Sequence, residues 1–148
     1  DTTVGGFANT KLYKTYLPQI QTKLESDFGA NLMTFRTVVS THVDESGAPD
    51  QGEWRDAKVG IPNETMVYGT TLNGNNKNGS WYNIGDDNTQ LPLFRLNPDE
   101  ITNNRDWSFW LRDIHSASEF VSAYSTGDVS WNGASNPSNG VRAFFLIG

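Results

Sequence analysis

Apolar runs in this chain are short, and the longest extends from Ala143 to Ile147. A helix that spans a bilayer needs roughly 20 apolar residues, so we expect no transmembrane segment and no membrane partner. Gly, Pro and Asn residues separate the runs, which predicts short helices and strands joined by irregular loops. The 148 residues are 36% hydrophobic, enough for one packed core. We therefore expect a single domain over 1–148, and the absence of an initiator Met indicates the C-terminal domain of a longer chain.

Charge and cysteine content exclude several function classes. Seventeen Asp and Glu residues oppose 11 Lys and Arg residues, for a net charge of -6. After Arg105 only Arg112 and Arg142 are basic, so no cationic stripe is available for phosphates and we expect no nucleic-acid partner. The chain has no Cys, which excludes disulfides, thiolate metal sites and cysteine nucleophiles.

The first 28 residues have a helical pattern. Pro18 cannot lie inside one continuous helix without loss of a hydrogen bond, so the pattern predicts two helices. The first is capped by Asn9 or Thr10, and the second runs from Pro18 to about Phe28, where Gly29 ends it. Apolar side chains recur at the spacing of one helix face: Leu12, Tyr16, Ile20, Leu24 and Phe28.

The middle of the chain is predicted to contain a hairpin, a helix and a long loop. Strands over Asn31–Val43 and Glu53–Val59 would form a long hairpin with an exposed tip at Asp44–Gly52. A short helix is expected over Pro62–Tyr68. The Asn-dense stretch 73–88 favours irregular structure, either as a binding loop or as a solvated insertion.

The last third is predicted to be mainly β-structure. Trp107–Leu111 is typical of a buried strand, and Glu119–Ser125 with Val129–Asn132 predicts a hairpin. After the loop 133–140, the apolar segment Val141–Ile147 predicts a final strand buried on both faces. Helices followed by antiparallel hairpins predict an α+β fold with long irregular loops.

Four C-terminal segments together resemble a widespread bacterial and phage domain family: Trp110–Asp113, Phe120–Ser130, Asn132–Ser135 and Gly140–Ile147. The family is related to the C-type lectin-like fold of formylglycine-generating enzymes and of the variable proteins of diversity-generating retroelements. Three upstream segments are similar to the version carried by phage and prophage structural proteins: Asn31–Arg36, Met66–Gly69 and Asn88–Leu96. The resemblance implies a C-type lectin-like fold and a location on the virion or an extracellular surface.

Two arginines beside apolar strands are expected to act as structural clamps. Arg112 and Arg142 need an acceptor when buried, and Asp106, Asp113 or Asp128 is the expected carboxylate. Two turn glycines, Gly127 and Gly140, are predicted to adopt left-handed backbone conformations.

Residues typical of catalysis and metal binding are scarce, so we predict that the chain is not an enzyme. Formylglycine-generating enzymes depend on active-site cysteines, which are missing here. His42 and His115 are the only histidines, and His115 lies too close in sequence to Asp113 and Ser116 for a triad to converge.

We expect no metal or other cofactor, with Ca²⁺ as the one candidate left open. The segments Asn97–Asp99, Trp131–Gly133 and Asn136–Ser138 depart from the calcium-binding motifs of animal C-type lectins. Asp86–Asn88 contains oxygen ligands that suit Ca²⁺, although an acidic solvated loop is the simpler interpretation.

Flat aromatic side chains flanked by Asn, Ser and Asp suit binding to sugars or to proteins. Trp107 and Trp110 are predicted to be core residues, whereas Trp54 lies beside the tip of the first hairpin. The predicted ligand-binding residues lie in the long loop and around the C-terminal hairpin: Trp81, Tyr82, Glu119, Tyr124, Ser130, Trp131, Asn132 and Asn136.

The resulting hypothesis is a surface-recognition domain of a phage or prophage structural protein, of the tail-fibre, receptor-binding or head-decoration type. Its partner would be a bacterial cell-surface glycan or protein, and the loops would be diversified if a retroelement acts on them. Oligomerisation of the parent protein, for instance as a trimer, would compensate for weak single-site binding. The alternative is a purely structural component that contacts other virion proteins.

Overall fold

The computed structural model describes residues 2–75, 89–102 and 107–148. Within these ranges the helices are α1 (Leu17–Phe28), α2 (Glu64–Tyr68) and α3 (Pro92–Leu96). The strands are β1 (Leu32–Met33), β2 (Phe35–Val43), β3 (Pro49–Ala57), β4 (Phe109–Ser116), β5 (Glu119–Ala123), β6 (Val129–Gly133) and β7 (Leu146–Ile147). The predicted α+β class, with antiparallel sheets, is confirmed.

The predicted second helix is confirmed as α1, which ends at Phe28 before Gly29, although no gap separates it from the helical turn that precedes it. A π-helical turn over Leu12–Tyr16 leads directly into α1. Pro18 lies in the first turn of α1, where its missing N–H does not weaken the helix. Thr10 caps the segment as predicted, since its Oγ1 accepts a hydrogen bond from the Tyr13 N–H at 3.1 Å.

The first hairpin pairs β2 with β3. Its predicted exposed tip is confirmed at Glu45 and Ser46, whereas Gly47, Ala48 and Pro49 are buried. The turn is short because the Asp44 N–H donates to the Ala48 carbonyl at 2.8 Å. Gly47 has a φ of 81°, and a Cβ added there would lie 2.5 Å from the backbone nitrogen of Ala117. The tip is therefore packed against the turn between β4 and β5, which explains why only Gly fits at this position.

The strands β4, β5 and β6 form an antiparallel three-stranded sheet in that order. The β5–β6 turn contains Gly127 at a φ of 92°, as predicted. Gly140 does not have the predicted positive φ; it instead forms an isolated bridge with Phe109.

Each face of this sheet covers a different part of the core. Ile114 and Phe120 project toward the N-terminal helices and the first hairpin, where they pack with Phe7, Leu17 and Val39. The other face covers α2 and α3 through a second cluster: Val67, Phe94, Phe109, Leu111, Val121 and Ala123. Alternation of side chains along each strand thus separates the two core regions.

The C-terminal segment contradicts the predicted strand over Val141–Ile147. Only Leu146 and Ile147 form β7, paired with β1, and both side chains are exposed. The preceding residues cross the molecule with Phe144 bridged to Gly60. The apolar residues of this segment pack on other side chains without forming a strand: the rings of Phe144 and Phe35 have centroids 4.9 Å apart.

The two tryptophans assigned to the core differ in burial. Trp107 is 64% exposed, so its core assignment is wrong. Trp110 is partly buried and packs against the core between the sheet and the N-terminal helices.

Among the described helices, none has the length and apolarity to cross a membrane.

Candidate functional site

A cleft of about 400 Å³ lies between the N-terminal helical segment and residues 134–141. Aromatic and aliphatic side chains form most of its lining: Phe7, Leu12, Tyr16, Trp110, Phe120, Pro137 and Val141. Its polar wall contains Ser135, Asn136 and Asn139. An apolar cleft with a few polar groups in this volume range is typical of small-ligand sites.

The π-helical turn places Tyr16 at the cleft. A π turn contains one residue more than an α turn, and such turns are frequent at functional sites. The extra residue rotates the apolar face of the helix, so Leu17 is buried and Tyr16 is 43% exposed. The predicted place of Tyr16 on the apolar face is therefore wrong. Lys11 Nζ lies 5.3 Å from the centroid of the Tyr16 ring, so the rim of the cleft carries a positive charge.

A chain of side-chain hydrogen bonds positions the polar wall. Asn132 Nδ2 donates to Ser122 Oγ at 3.1 Å, and Asn136 Nδ2 donates to Asn132 Oδ1 at 3.0 Å. Asn136 Oδ1 in turn accepts from the Ser138 N–H at 2.9 Å. The loop that follows β6 is thereby anchored to the sheet, which gives the cleft a defined polar edge.

Asn139 differs from these amides. Its Nδ2 is buried and makes no hydrogen bond to any described residue, while the residue lines the cleft. A buried donor without an acceptor costs about 1–3 kcal/mol. The burial that leaves this donor unpaired also keeps it out of contact with a ligand in the cleft.

The predicted binding residues divide between two faces of the sheet. Asn132 and Asn136 lie on the cleft side, and strand alternation places Ser130 on that side as well. Trp131 lies on the opposite face, where it stacks on His115 with ring centroids 4.2 Å apart. Trp81 and Tyr82 lie outside the described residues, as do Asp86–Asn88 and Asp106.

The Trp131 surface has a distinct local environment. Trp131 is 44% exposed, in agreement with the predicted exposure, and Tyr124 is also exposed. His115 Nδ1 donates to the Asn73 carbonyl at 2.8 Å, which orients the ring beneath Trp131. Glu119 accepts from Ser116 Oγ at 2.8 Å, a contact that fixes the β4–β5 turn.

Arg142 is a clamp, but not to a predicted carboxylate. Its Nη2 lies 3.2 Å from Glu100 Oε2, and its Nη1 donates to the Glu100 carbonyl. The guanidinium also lies over the rings of Phe94 and Phe109, 5.1 and 5.5 Å from their centroids. Arg142 pairs with Glu100 and not with one of the predicted Asp residues, because the turn after α3 lies against the sheet.

Arg112 is buried, and its Nη1 donates to Thr37 Oγ1 at 2.5 Å. This contact connects β4 to β2. The Arg112 charge also acts on Asp113, whose pKa it lowers against larger opposing effects.

Asp113 forms a buried pair of carboxylates with Glu64, a residue that the sequence analysis did not identify. Both side chains are almost fully buried. Asp113 Oδ2 accepts from the Glu64 N–H at 2.8 Å. Burial and the nearby Glu64 charge raise the pKa of Asp113 to about 7, because two buried anions in proximity repel each other.

The Glu64 carboxylate fastens the start of the Asn-dense stretch. It accepts three backbone hydrogen bonds, from Leu72 at 3.2 Å, Asn73 at 2.7 Å and Gly74 at 2.8 Å. A Cβ at Gly74 would lie 2.9 Å from Glu64 Oε2, so the backbone covers the carboxylate closely. These contacts hold residues 72–74 in place over the Glu64 and Asp113 carboxyl groups.

The described residues contain no group of three or more His, Asp or Glu side chains placed to hold a metal ion. His42 is instead paired with Asp50, its Nδ1 lying 2.6 Å from the Asp50 carboxylate. Sequence reasoning missed Lys11, Tyr16, Asn139 and Glu64. The available signals were Pro18, which follows the change of helix type, and a Glu at the first position of the short helix α2.

A scan against protein-family models, a search of curated proteins and a search of solved structures each found no match to this chain. The cleft and the Trp131 surface are therefore the features from which a function can be inferred.

Proposed function

We propose that this chain is a non-enzymatic recognition domain with a C-type lectin-like fold, carried by a phage or prophage structural protein. It binds a glycan of the bacterial surface in the cleft beside Tyr16. Tail-fibre, receptor-binding and head-decoration proteins are the types of virion protein that would present it.

The observation that carries this proposal is the composition of the cleft. The Tyr16 ring is exposed and provides an apolar face for a sugar ring, and side-chain amides provide donors and acceptors for hydroxyl groups. None of the described residues that line the cleft is acidic, so these residues do not include the pair of carboxylates used in glycoside hydrolysis. Recognition without turnover is the chemistry that this lining supports.

The test is binding of the domain, multimerised on beads, to a panel of intact bacteria with and without chelator. Tyr16→Ala removes an aromatic wall, and Trp131→Ala is the matched control on the opposite face. Strain-selective binding that Tyr16→Ala abolishes and Trp131→Ala retains supports the cleft. The reverse pattern moves recognition to the Trp131 surface, and loss with chelator would indicate Ca²⁺.

The second candidate is a purely structural component of the virion. Three apolar side chains on the β1–β7 ribbon favour it, since Met33, Leu146 and Ile147 are all exposed. Exposed apolar groups in one place are typical of protein interfaces. Saturable binding to virion proteins, with no binding to any bacterial strain, would favour this alternative.

A further inference from the structure

We infer that the glycan site continues from the cleft past Val141 to Trp107, so that its ligand is a chain of at least two sugar units. This inference rests on the proposed function and deepens it, because it adds a second subsite and names the class of glycan. Trp107 is the aromatic contact of that subsite.

A second depression adjoins the cleft. Its volume is about 200 Å³. The residues that line it are Trp107, Ser108, Phe109, Gly140 and Val141. Val141 also lines the cleft of about 400 Å³ that contains Tyr16, so this side chain stands at the border of the two. Both volumes together stay within the range of roughly 300–1,000 Å³ that is typical of small-ligand sites.

The side chains that a ligand meets along this path are accessible. Trp107 is 64% exposed, and Val141 and Tyr16 are each 43% exposed. Contact with water is unfavourable for large apolar side chains, and exposed apolar groups close together are typical of binding sites. An indole ring and a phenol ring therefore provide apolar faces in adjoining depressions that share Val141.

Backbone hydrogen bonds fix the position of the second subsite relative to the cleft. The Gly140 N–H donates to the Ser108 carbonyl at 2.7 Å, and the Trp110 N–H donates to the Gly140 carbonyl at 3.1 Å. The segment that carries Val141 is thereby held against the residues that directly follow Trp107. A site that is formed before its ligand arrives loses less conformational entropy on binding.

The border position of Val141 sets the size of the ligand. A single sugar ring on Tyr16 occupies the cleft alone, whereas a chain that crosses Val141 places a second ring on Trp107. None of the described residues that line the second depression is charged, which favours a neutral sugar unit there. Concave subsites of this volume suit a small chain of rings, since protein interfaces are larger.

The test uses the surface polysaccharide of a strain that the domain binds, partly hydrolysed and separated by size into monosaccharides, disaccharides and longer fragments. Binding is followed by calorimetry and by the NMR signal of the Trp107 indole N–H in the wild-type domain, which Trp107→Phe assigns. We expect disaccharides to shift this signal and to bind about tenfold more tightly than monosaccharides, the effect of one further aromatic contact. Trp107→Ala should abolish this difference, whereas Trp54→Ala, at another exposed tryptophan, should retain it.

Equal affinity for fragments of every length, or a bound disaccharide that leaves the Trp107 signal unchanged, would overturn the inference. If bacteria are bound in a Tyr16-dependent manner but Trp107→Ala binds every fragment as the wild type does, the second subsite is wrong and the proposed function stands. If no strain is bound, both are wrong. A Trp107 signal that shifts with virion proteins and with no glycan fragment would assign this surface to a protein partner. The wild-type NMR measurement remains decisive if Trp107→Ala does not fold.

Discussion

The protonated Asp113 beside Glu64 contributes stability that should be lost as pH rises from about 4 to 7. The pKa of Asp113 is raised from 3.8 to about 7 by burial and by the Glu64 charge. Between these values the native protein keeps a proton that the unfolded chain releases. The free energy of unfolding therefore decreases by roughly 1.4 kcal/mol per pH unit, or about 4 kcal/mol over the whole interval.

Asp113→Asn removes this titration while it keeps a side chain of similar size. We expect urea denaturation between pH 4 and pH 8 to show the wild-type protein losing about 4 kcal/mol relative to the variant. Asp99→Asn, at an exposed position, is the matched control and should leave the profile parallel to that of the wild type. Other carboxylates contribute equally to both proteins, so the difference isolates Asp113.

Parallel pH profiles for the wild-type protein and Asp113→Asn would refute this reasoning. If the variant does not fold, the carboxyl carbon of Asp113 can be titrated by NMR in the wild-type protein. A midpoint at or below pH 4 would then show that burial and repulsion do not govern this group.

Three further predictions concern stability and are measured by chemical denaturation. Glu64→Ala leaves three backbone N–H groups without their acceptor and should cost about 3 kcal/mol, whereas Glu64→Gln should cost less because one oxygen remains. Gly47→Ala should cost about 2 kcal/mol because of the positive φ and the close backbone. Gly133→Ala, with open space around it, should stay within about 0.5 kcal/mol, and equal costs would contradict the packed hairpin tip. Arg142→Ala should cost about 2 kcal/mol because it removes both the Glu100 contact and the packing on two rings, and an unchanged midpoint would exclude a clamp.

The ligand-binding role predicted for Asn132 and Asn136 stays a prediction. Asn132 lies in β6 and Asn136 in the loop that follows, and a hydrogen bond joins the two side chains. Asn132 and Trp131 are neighbours in β6, so their side chains lie on opposite faces of the sheet. The sequence predicts this arrangement once the register of β6 is known. Tyr16 could not be identified this way, because its helical spacing indicated the core.

The sequence by itself determined the elements whose signals are local. Thr10 as a cap, Gly127 at a left-handed turn and the β5–β6 hairpin each depend on a few neighbouring residues, and all three are present. The α+β class follows from the order of these elements. Local backbone preferences and short-range hydrogen bonds are sufficient for such features.

Only the tertiary structure decided which surfaces came together. The Glu64 N–H and the Asp113 carboxylate are 49 residues apart in sequence, and Arg142 meets Glu100 across 42 residues. The sequence also did not predict the short β7 or the exposed Trp107. The apolar content of a segment does not specify which other segment covers its side chains. The cleft brings residues 7–16 against residues 134–141 because packing of the whole core, and not local preference, sets the distance between segments so remote in sequence.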